Sequence, residues 1–409
     1  MFLAVFIDLL GFGMVIPLVA IYARNLPGVD EKGVTIGLLA ASFSAMQFLF
    51  SPLWGRLSDR IGRRPVLLIG LAGSSFFYAV FGLATVEASI VWMFVSRIGA
   101  GISGATIATA QAYIADTTTR ENRTKGMALI GAAFGLGFTF GPLLAAAALL
   151  PGESELSPLP GYFASLLSAL AFVYAFFKLP ESLSPSSGRA GHKLLDLGEL
   201  RTALSIPTIG PLLMTSFIGI LSFANFESIL AFVLKVAPEK GGFGYELVDV
   251  MLLFALVGFI HALAQGGVRS LSSRTTEANL ATGGAVVSLL GFVLLIFAIR
   301  ERSLELLFAG VFIEATGFAF IPAAIQSLIS RRSNPSQQGS ILSVGQSLGA
   351  LARILGHGMC FPLFYVSATL PFCVAAGLMM IAIGLITYSA RRGQDYADAP
   401  ESEPATASQ

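Results

Sequence analysis

Apolar positions in this chain come in long unbroken runs, and the polar positions collect in the short stretches between them. Twelve runs can be drawn, at about 1–23, 34–54, 65–86, 89–115, 125–150, 160–179, 208–235, 244–267, 278–299, 303–330, 338–366 and 368–390. Each is long enough for a helix that crosses the roughly 30 Å hydrocarbon core of a bilayer. Neither alternation with period 2 nor the short strand-length segments of a membrane barrel is present. Gly and Pro occur inside the runs, as membrane helices allow when neighbouring helices re-satisfy the backbone. The pattern predicts an all-α membrane protein of twelve spans.

The longest polar connection runs from Glu181 to about Pro207 and is rich in Ser, Pro, Gly and mixed charge. It reads as a flexible linker with a short surface helix over His192 to Arg201. It divides the spans six and six, giving an N-terminal bundle over 1–180, a linker over 181–207, a C-terminal bundle over 208–390 and a disordered tail over 391–409. The halves echo one another. Gln111-Ala-Tyr-Ile-Ala-Asp116 closes span 4, and Gln326-Ser-Leu-Ile-Ser-Arg331 closes span 10. Helices with Gly131, Gly135 and Gly141, or with Gly345, Gly349 and Gly356, follow them. A duplicated six-span half is a transporter plan.

Composition agrees with lipid as the solvent. Only 12% of residues are charged and 55% are hydrophobic, against about 25% charged in soluble domains. Mean hydropathy is +0.78. The basic residues are unevenly placed. Arg56, Arg60, Arg63 and Arg64 follow span 2, and Arg120, Arg123 and Lys125 follow span 4. Lys178, Arg189, Lys193 and Arg201 mark the central connection, and Arg269, Arg274, Arg331, Arg332, Arg391 and Arg392 the later even-numbered ones. The other side holds only Arg24, Lys32, Lys235, Lys240, Arg300 and Arg302. The positive-inside rule then places both termini in the cytoplasm. The first run begins at Met1 without a basic leader or cleavage site, so no cleavable signal is expected and the start is open to extension upstream.

A net charge of +1 implies no nucleic-acid partner. Cys360 and Cys373 read as buried small hydrophobes, and His192, His261 and His357 form no ligand cluster, so no metal is expected. No nucleotide-binding GxxxxGK[ST] or hydrolase motif is present. An enzyme is not expected. Nor is a cofactor.

Charged side chains inside spans are the candidate chemistry, since each costs at least ~2.5–3.5 kcal/mol on insertion scales. Glu227 in span 7 and Glu314 in span 10 lie too deep to snorkel, and a carboxylate there is expected to load a proton from the acidic side. The alternative is a neutral acid bonded to a neighbouring helix. Arg353 in span 11 is a counter-ion for either. Asp8 in span 1 and Arg97 in span 4 read as a charge pair broken by protonation, or Asp8 merely sits at the interface. Gln111, Asn225 and Gln326 are either polar cavity contacts or interhelical hydrogen bonds. Gly131, Gly135, Gly137 and Gly141 give span 5 a thin face and Pro142 a kink, for a moving interface or for static packing.

Gly55-Arg-Leu-Ser-Asp59-Arg60-Ile-Gly62-Arg63-Arg64 reads as a tight turn between spans 2 and 3, with Asp59 placed to cap a helix among arginines. This stretch resembles the signature loop, motif A, of the major facilitator superfamily. Asp8-Leu-Leu-Gly11-Phe-Gly13-Met-Val-Ile-Pro17, Arg97-Ile-Gly-Ala-Gly101-Ile-Ser-Gly104-Ala and Gly137-Phe-Thr-Phe-Gly141-Pro142 resemble the first span, motif B and motif C of its drug:proton antiporter branch. The first-span stretch most resembles that of tetracycline-efflux-like members and their relatives. Ala100 stands where motif B usually has Gln, and Ala145 and Ala146 where motif C usually ends in Gly pairs. The second motif A copy, Gly266 to Arg274, lacks its acid, and Gly356-His357 replaces a usual Gly-Pro.

The resemblance implies two pseudo-symmetric six-helix bundles with a substrate cavity between them and alternating access by rocking. It implies proton-driven efflux of small drug-like molecules through a bacterial inner membrane by a monomer, with the Gly55–Arg64 loop gating one conformation. Two other functions stay open: a symporter importing a sugar, organic acid or other metabolite, and a transport-inactive sensor or scaffold.

Overall fold

The computed structural model describes residues 2–118, 123–149, 156–183, 197–271, 274–333 and 338–392. Most of the linker, the tail beyond residue 392, and Arg120, Arg189, Lys193 and His192 lie outside them, as do the side chains of Arg123, Lys125, Arg269 and Arg392. The described residues form fourteen α-helices, one 3-10 turn and no strand.

The first half contains α1 (Phe2–Arg24), α2 (Val34–Ile61), α3 (Arg63–Val86), α4 (Ile90–Gly104), α5 (Ile107–Thr117), α6 (Arg123–Ala148) and α7 (Leu159–Lys178). A short helix, α8 (Leu197–Ser205), follows where the sequence predicts a surface helix slightly earlier. The second half contains α9 (Gly210–Lys235), α10 (Leu247–Leu271), α11 (Glu277–Glu301), α12 (Leu304–Arg332), α13 (Gln338–Val366) and α14 (Leu370–Arg392). Eleven spans are long and apolar enough to cross a membrane, with α4 and α5 counted as one of them, and α6 supplies the twelfth.

Span 4 is therefore broken rather than continuous. Its helix stops at Gly104, and the freed carbonyls find partners on α2: the Trp54 indole donates to Ile102 O at 2.7 Å and the Gln47 amide to Gly104 O at 3.3 Å. Such a break is stable at membrane depth only when the backbone is re-satisfied in this way.

The packing repeats itself with an offset of six spans. α1 packs on α6 and α7 as α9 packs on α13 and α14. α3 packs on α4 and α7 as α11 packs on α12 and α14, and α2 on α4 as α10 on α12. The halves meet through α2 against α13 and α6 against α10, two contacts that exchange under the same offset. These correspondences are the pseudo-two-fold of a duplicated bundle.

Close approach inside each half depends on missing Cβ atoms. A Cβ on Gly13 would stand 2.5 Å from the Gly137 carbonyl oxygen, and one on Gly141 would stand 2.8 Å from Gly13 Cα. Of the thin face expected of span 5, Gly137 and Gly141 thus lie against α1 and Gly135 against Ala262 of α10, while the surroundings of Gly131 lie outside the described residues. Gly356 plays the same part in the second half, where its Cβ would meet Ala224 Cβ at 2.8 Å.

Outside the membrane helices, Asp30 organises the entry into α2. Its carboxylate accepts from the backbone N–H groups of Thr35 (2.6 Å), Val34 (3.0 Å) and Lys32 (3.0 Å). The Thr35 hydroxyl and then these N–H groups hold the carboxyl down at about 2, below its ordinary 3.8. Stability from this group is present above 3.8 and lost as pH falls through about 2. Asp30→Ala is expected to lower the unfolding temperature slightly at neutral pH, with the difference from wild type shrinking once pH drops below 3.8. Thermal unfolding of both proteins across that range checks it, and a pH-independent difference would remove the carboxylate from the account.

Candidate functional site

The site has three parts along the axis of the bundle. At the arginine-rich face, α2 does not turn at Gly55 as the sequence predicts. It stays helical through Ile61, and the chain reverses only at Gly62, where φ is 106°. Arg56, Leu57 and Arg60 in this stretch are good helix formers and no glycine or proline interrupts residues 56–61, so the helix projects beyond the apolar span. Asp59 consequently sits in the last turn of α2 and caps nothing. It pairs with Arg63 at 2.6 Å.

Arg63 is the hub of this face. Its guanidinium also pairs with Asp116 of α5 at 3.1 Å and donates to the Ser58 hydroxyl at 2.6 Å. The helix N-terminus expected to fall to Asp59 is taken by Glu181, which accepts from the N–H groups of Arg63 (2.9 Å) and Arg64 (3.2 Å). Partial burial pushes the Glu181 carboxyl up, but the N–H groups of Leu183, Arg63, Ser182 and Arg64 outweigh it and leave it below the usual range. Arg64 donates to Phe176 O at 2.7 Å and lies over the Phe176 ring. Gly62 is required twice, by its φ and because a Cβ would strike the Glu181 carboxylate. Every partner described in this cluster belongs to the first half or to the start of the linker that follows it. Asp116 and Glu181 were visible in sequence only as a helix-terminal acid and the first residue of the linker.

At the opposite face the halves are pressed together. A Cβ on Gly37 of α2 would collide with the Gly358 carbonyl oxygen of α13, and Gly33 one turn earlier faces the Tyr365 ring. On the other side of the axis and nearer mid-span, at the depth of Phe12 and Phe43, a Cβ on Gly258 of α10 would stand 2.6 Å from Phe138 O of α6. The Arg24 guanidinium lies 5.4 Å from the centroid of Phe232. Among the described residues no ion pair or hydrogen bond between side chains joins the halves at the arginine-rich face.

Between the two faces lie the membrane-embedded charges. Asp8 accepts from the Ser168 hydroxyl of α7 at 3.0 Å. The direct pair expected between Asp8 and Arg97 is not formed: Tyr78 of α3 is within electrostatic reach of both, and Arg97 instead lies 4.5 Å over the Phe43 ring of α2. Arg97 is 3% exposed, and its Nε and Nη1 have no hydrogen-bond partner. Glu227 and Arg353 sense one another's charge without a direct ion pair. Glu314 is fully buried where α12 meets α11. Gly291 and Gly317 let the backbones approach there, and the Ser288 hydroxyl donates to Glu314 Oε1 at 3.3 Å while Oε2 has no partner.

The amide candidates separate. Asn225, 0% exposed, donates to Pro371 O at 2.7 Å and so ties α9 to α14 instead of lining a cavity. Gln111 and Gln326 are exposed. Two histidines that sequence left as scattered join the site. His357 Nδ1 lies 3.4 Å from the Ser44 hydroxyl across the two halves. His261 packs against Phe223 and the Phe318 ring, which stack on one another at 4.0 Å. No group of His, Cys, Asp and Glu among the described residues could hold a metal ion.

The chain is similar over most of its length to transporters. It is 31% identical over 387 residues to the class C tetracycline resistance protein of Escherichia coli, covering 92% of this chain and 93% of that one. It is 28% identical to human major facilitator superfamily domain-containing protein 10, covering 94% and 91%. The crystal structure described as the human organic anion transporter MFSD10 (TETRAN) superposes with a TM-score of 0.69 at 26% identity, covering 94% of this chain and 97% of that one. The family model described as Major Facilitator Superfamily matches residues 1–357. With the duplicated six-helix packing, these matches show that the chain belongs to the Major Facilitator Superfamily, a multi-pass membrane transporter with a small-molecule substrate.

Proposed function

We propose that the protein exports small organic, drug-like molecules across a bacterial inner membrane in exchange for protons, with its arginine-rich face in the cytoplasm. The observation that carries this reading is the set of carboxylates at membrane depth, Asp8, Glu227 and Glu314, none of them in a direct ion pair among the described residues. Such groups are free to gain and lose protons. Similarity to tetracycline resistance proteins supports export. The motif C glycines packed on α1 support a helix interface that slides.

In this scheme the contact at Gly37 closes the outer side and the one at Gly258 joins the halves nearer mid-span, leaving access from the cytoplasm. Binding of substrate displaces protons, and the halves then rock about the shared seam. Arg97 and Arg353 stay charged throughout. The Asp59–Arg63–Asp116 cluster sets how readily the cytoplasmic ends of the first-half helices move.

Tetracycline is the first probe. Added to weakly buffered, purified protein, it is expected to release protons, and Glu227→Gln or Glu314→Gln is expected to reduce that release and flatten the pH dependence of transport in liposomes. Proton uptake on binding would instead favour an importing symporter. Unchanged release in both variants would take these carboxylates out of the coupling.

A further inference from the structure

A buried arginine is tolerated in hydrocarbon only with a counter-charge or a full set of hydrogen bonds. Arg97 has neither. Its Nε and Nη1 are unpartnered, it is 3% exposed, and one of its faces is covered by the Phe43 ring at 4.5 Å. Among the described residues no carboxylate pairs with it, and the carboxylate expected to do so, Asp8, is held by Ser168.

The surroundings of Arg97 add a second fixed cation. Phe43 is adjacent to Ser44, whose hydroxyl lies 3.4 Å from His357 Nδ1 on α13. His357 is within electrostatic reach of both Arg97 and Arg353, and Arg353, one turn before it, makes no direct ion pair. Arg97 and His357, from opposite halves, therefore meet the same turn of α2, with Arg353 one turn along α13 from the imidazole. Among the described residues Glu227 is the carboxylate in electrostatic reach of Arg353, and it offsets at most one of the two cations. Among the described residues the layer keeps at least one arginine that no protein carboxylate pairs with.

We propose that the transported molecule carries an acidic group and that Arg97, with Arg353 and His357, anchors it, the Phe43 ring supplying an apolar wall beside the anchor. This rests on the transporter reading and names its substrate class: an organic acid with an aromatic or apolar body. An arginine presents several donors in a planar fork that matches a carboxylate, sulfonate or phosphonate. An anchor shared by both halves also makes substrate part of the contact between them, which is the placement alternating access requires. The substrate's charge leaves the direction of proton movement open, because Asp8 and Glu314 are held by serines and by neither arginine.

The test uses three probes of one shape on the purified full-length protein: 2-naphthoate, 2-naphthamide and 2-naphthylmethylamine. Naphthoate is expected to raise the unfolding temperature and the other two are not. Its apparent affinity is expected to fall about tenfold or more in Arg97→Gln, the size of a lost charge-assisted contact, and less in Arg97→Lys. Arg353→Gln serves as a second variant should Arg97→Gln fail to fold. Equal or greater stabilisation by the amide or the amine, no stabilisation by naphthoate, or naphthoate binding unchanged in the glutamine variants would overturn the anchor. Naphthoate bound at Arg97 but never moved across liposomes would leave the anchor standing and defeat the transporter reading. Transport confined to compounds without an acid would do the reverse.

Discussion

Arg63→Ala is expected to lower the transport rate by about one to two orders of magnitude while leaving the protein folded. The guanidinium holds Asp59 on α2 at 2.6 Å and Asp116 on α5 at 3.1 Å, and it also takes the Ser58 hydroxyl. Its side chain is 11% exposed, against 33% and 28% for the two acids. Removing it leaves two carboxylates facing one another across a half-buried gap with no cation between them. Solvent reaches both acids, so global stability should change little. The conformational balance is more sensitive, since a shift of about 1.4 kcal/mol between two states changes their ratio tenfold. Asp59→Asn keeps the shape and removes only one charge, so it should also impair turnover, by less, with ligand binding retained. Transport in liposomes beside thermal unfolding separates the two quantities. Wild-type turnover in Arg63→Ala would show that the cluster is only an anchor to the headgroups.

Glu181 belongs to the same device. Its carboxyl is held low by backbone N–H groups that it meets only in the folded chain. Its stabilisation is therefore present above the ordinary glutamate range and lost as pH falls below it. The start of the linker between the two halves is thus tied to the N-terminus of α3, through an interaction that needs the charged form.

Sequence carried the membrane architecture because hydrocarbon imposes one rule on every span: about twenty apolar residues, with basic residues on one side. It carried Glu227, Glu314, Arg97 and Arg353 for the related reason that such charges are costly at that depth. What it lacked was pairing. Asp8 and Arg97 were expected to meet, yet a serine and an aromatic ring took them up, and serines and phenylalanines are too common in these spans to stand out. Asn225 could line a cavity or bond a neighbour, and only the position of α14 settles which. The break in span 4 was hidden because Gly101 and Gly104 look like ordinary packing glycines until Trp54 is seen bonding the freed carbonyl. Glu181 replaced Asp59 as the helix cap because α2 runs farther than its apolar stretch.

The second large effect lies at the other face. Gly37→Val should abolish most transport, by about tenfold or more, through a clash between halves and not through loss of fold. Gly37 on α2 faces the Gly358 backbone on α13 with no room for a Cβ, and neither partner is a flexible side chain that could move aside. Within a single bundle such overpacking costs about 1–3 kcal/mol of stability. Here the two helices belong to different halves, and in the proposed cycle these separate when the outer side opens, so the cost would fall on the closed state alone. The valine should bias the protein toward the outward-open form, and the matching seam at Gly258 and Phe138 would have to part with it. Ser44, 2% exposed and facing His357 across the seam, gives a reporter. In a background with Cys360 and Cys373 replaced, Ser44→Cys should react faster with a maleimide added from outside once Gly37→Val is present, with the unfolding temperature nearly unchanged. Equal labelling and equal transport in the two backgrounds would mean that α2 and α13 do not part during the cycle. The seam would then be a fixed joint between the halves, and rocking about it could not be how substrate crosses.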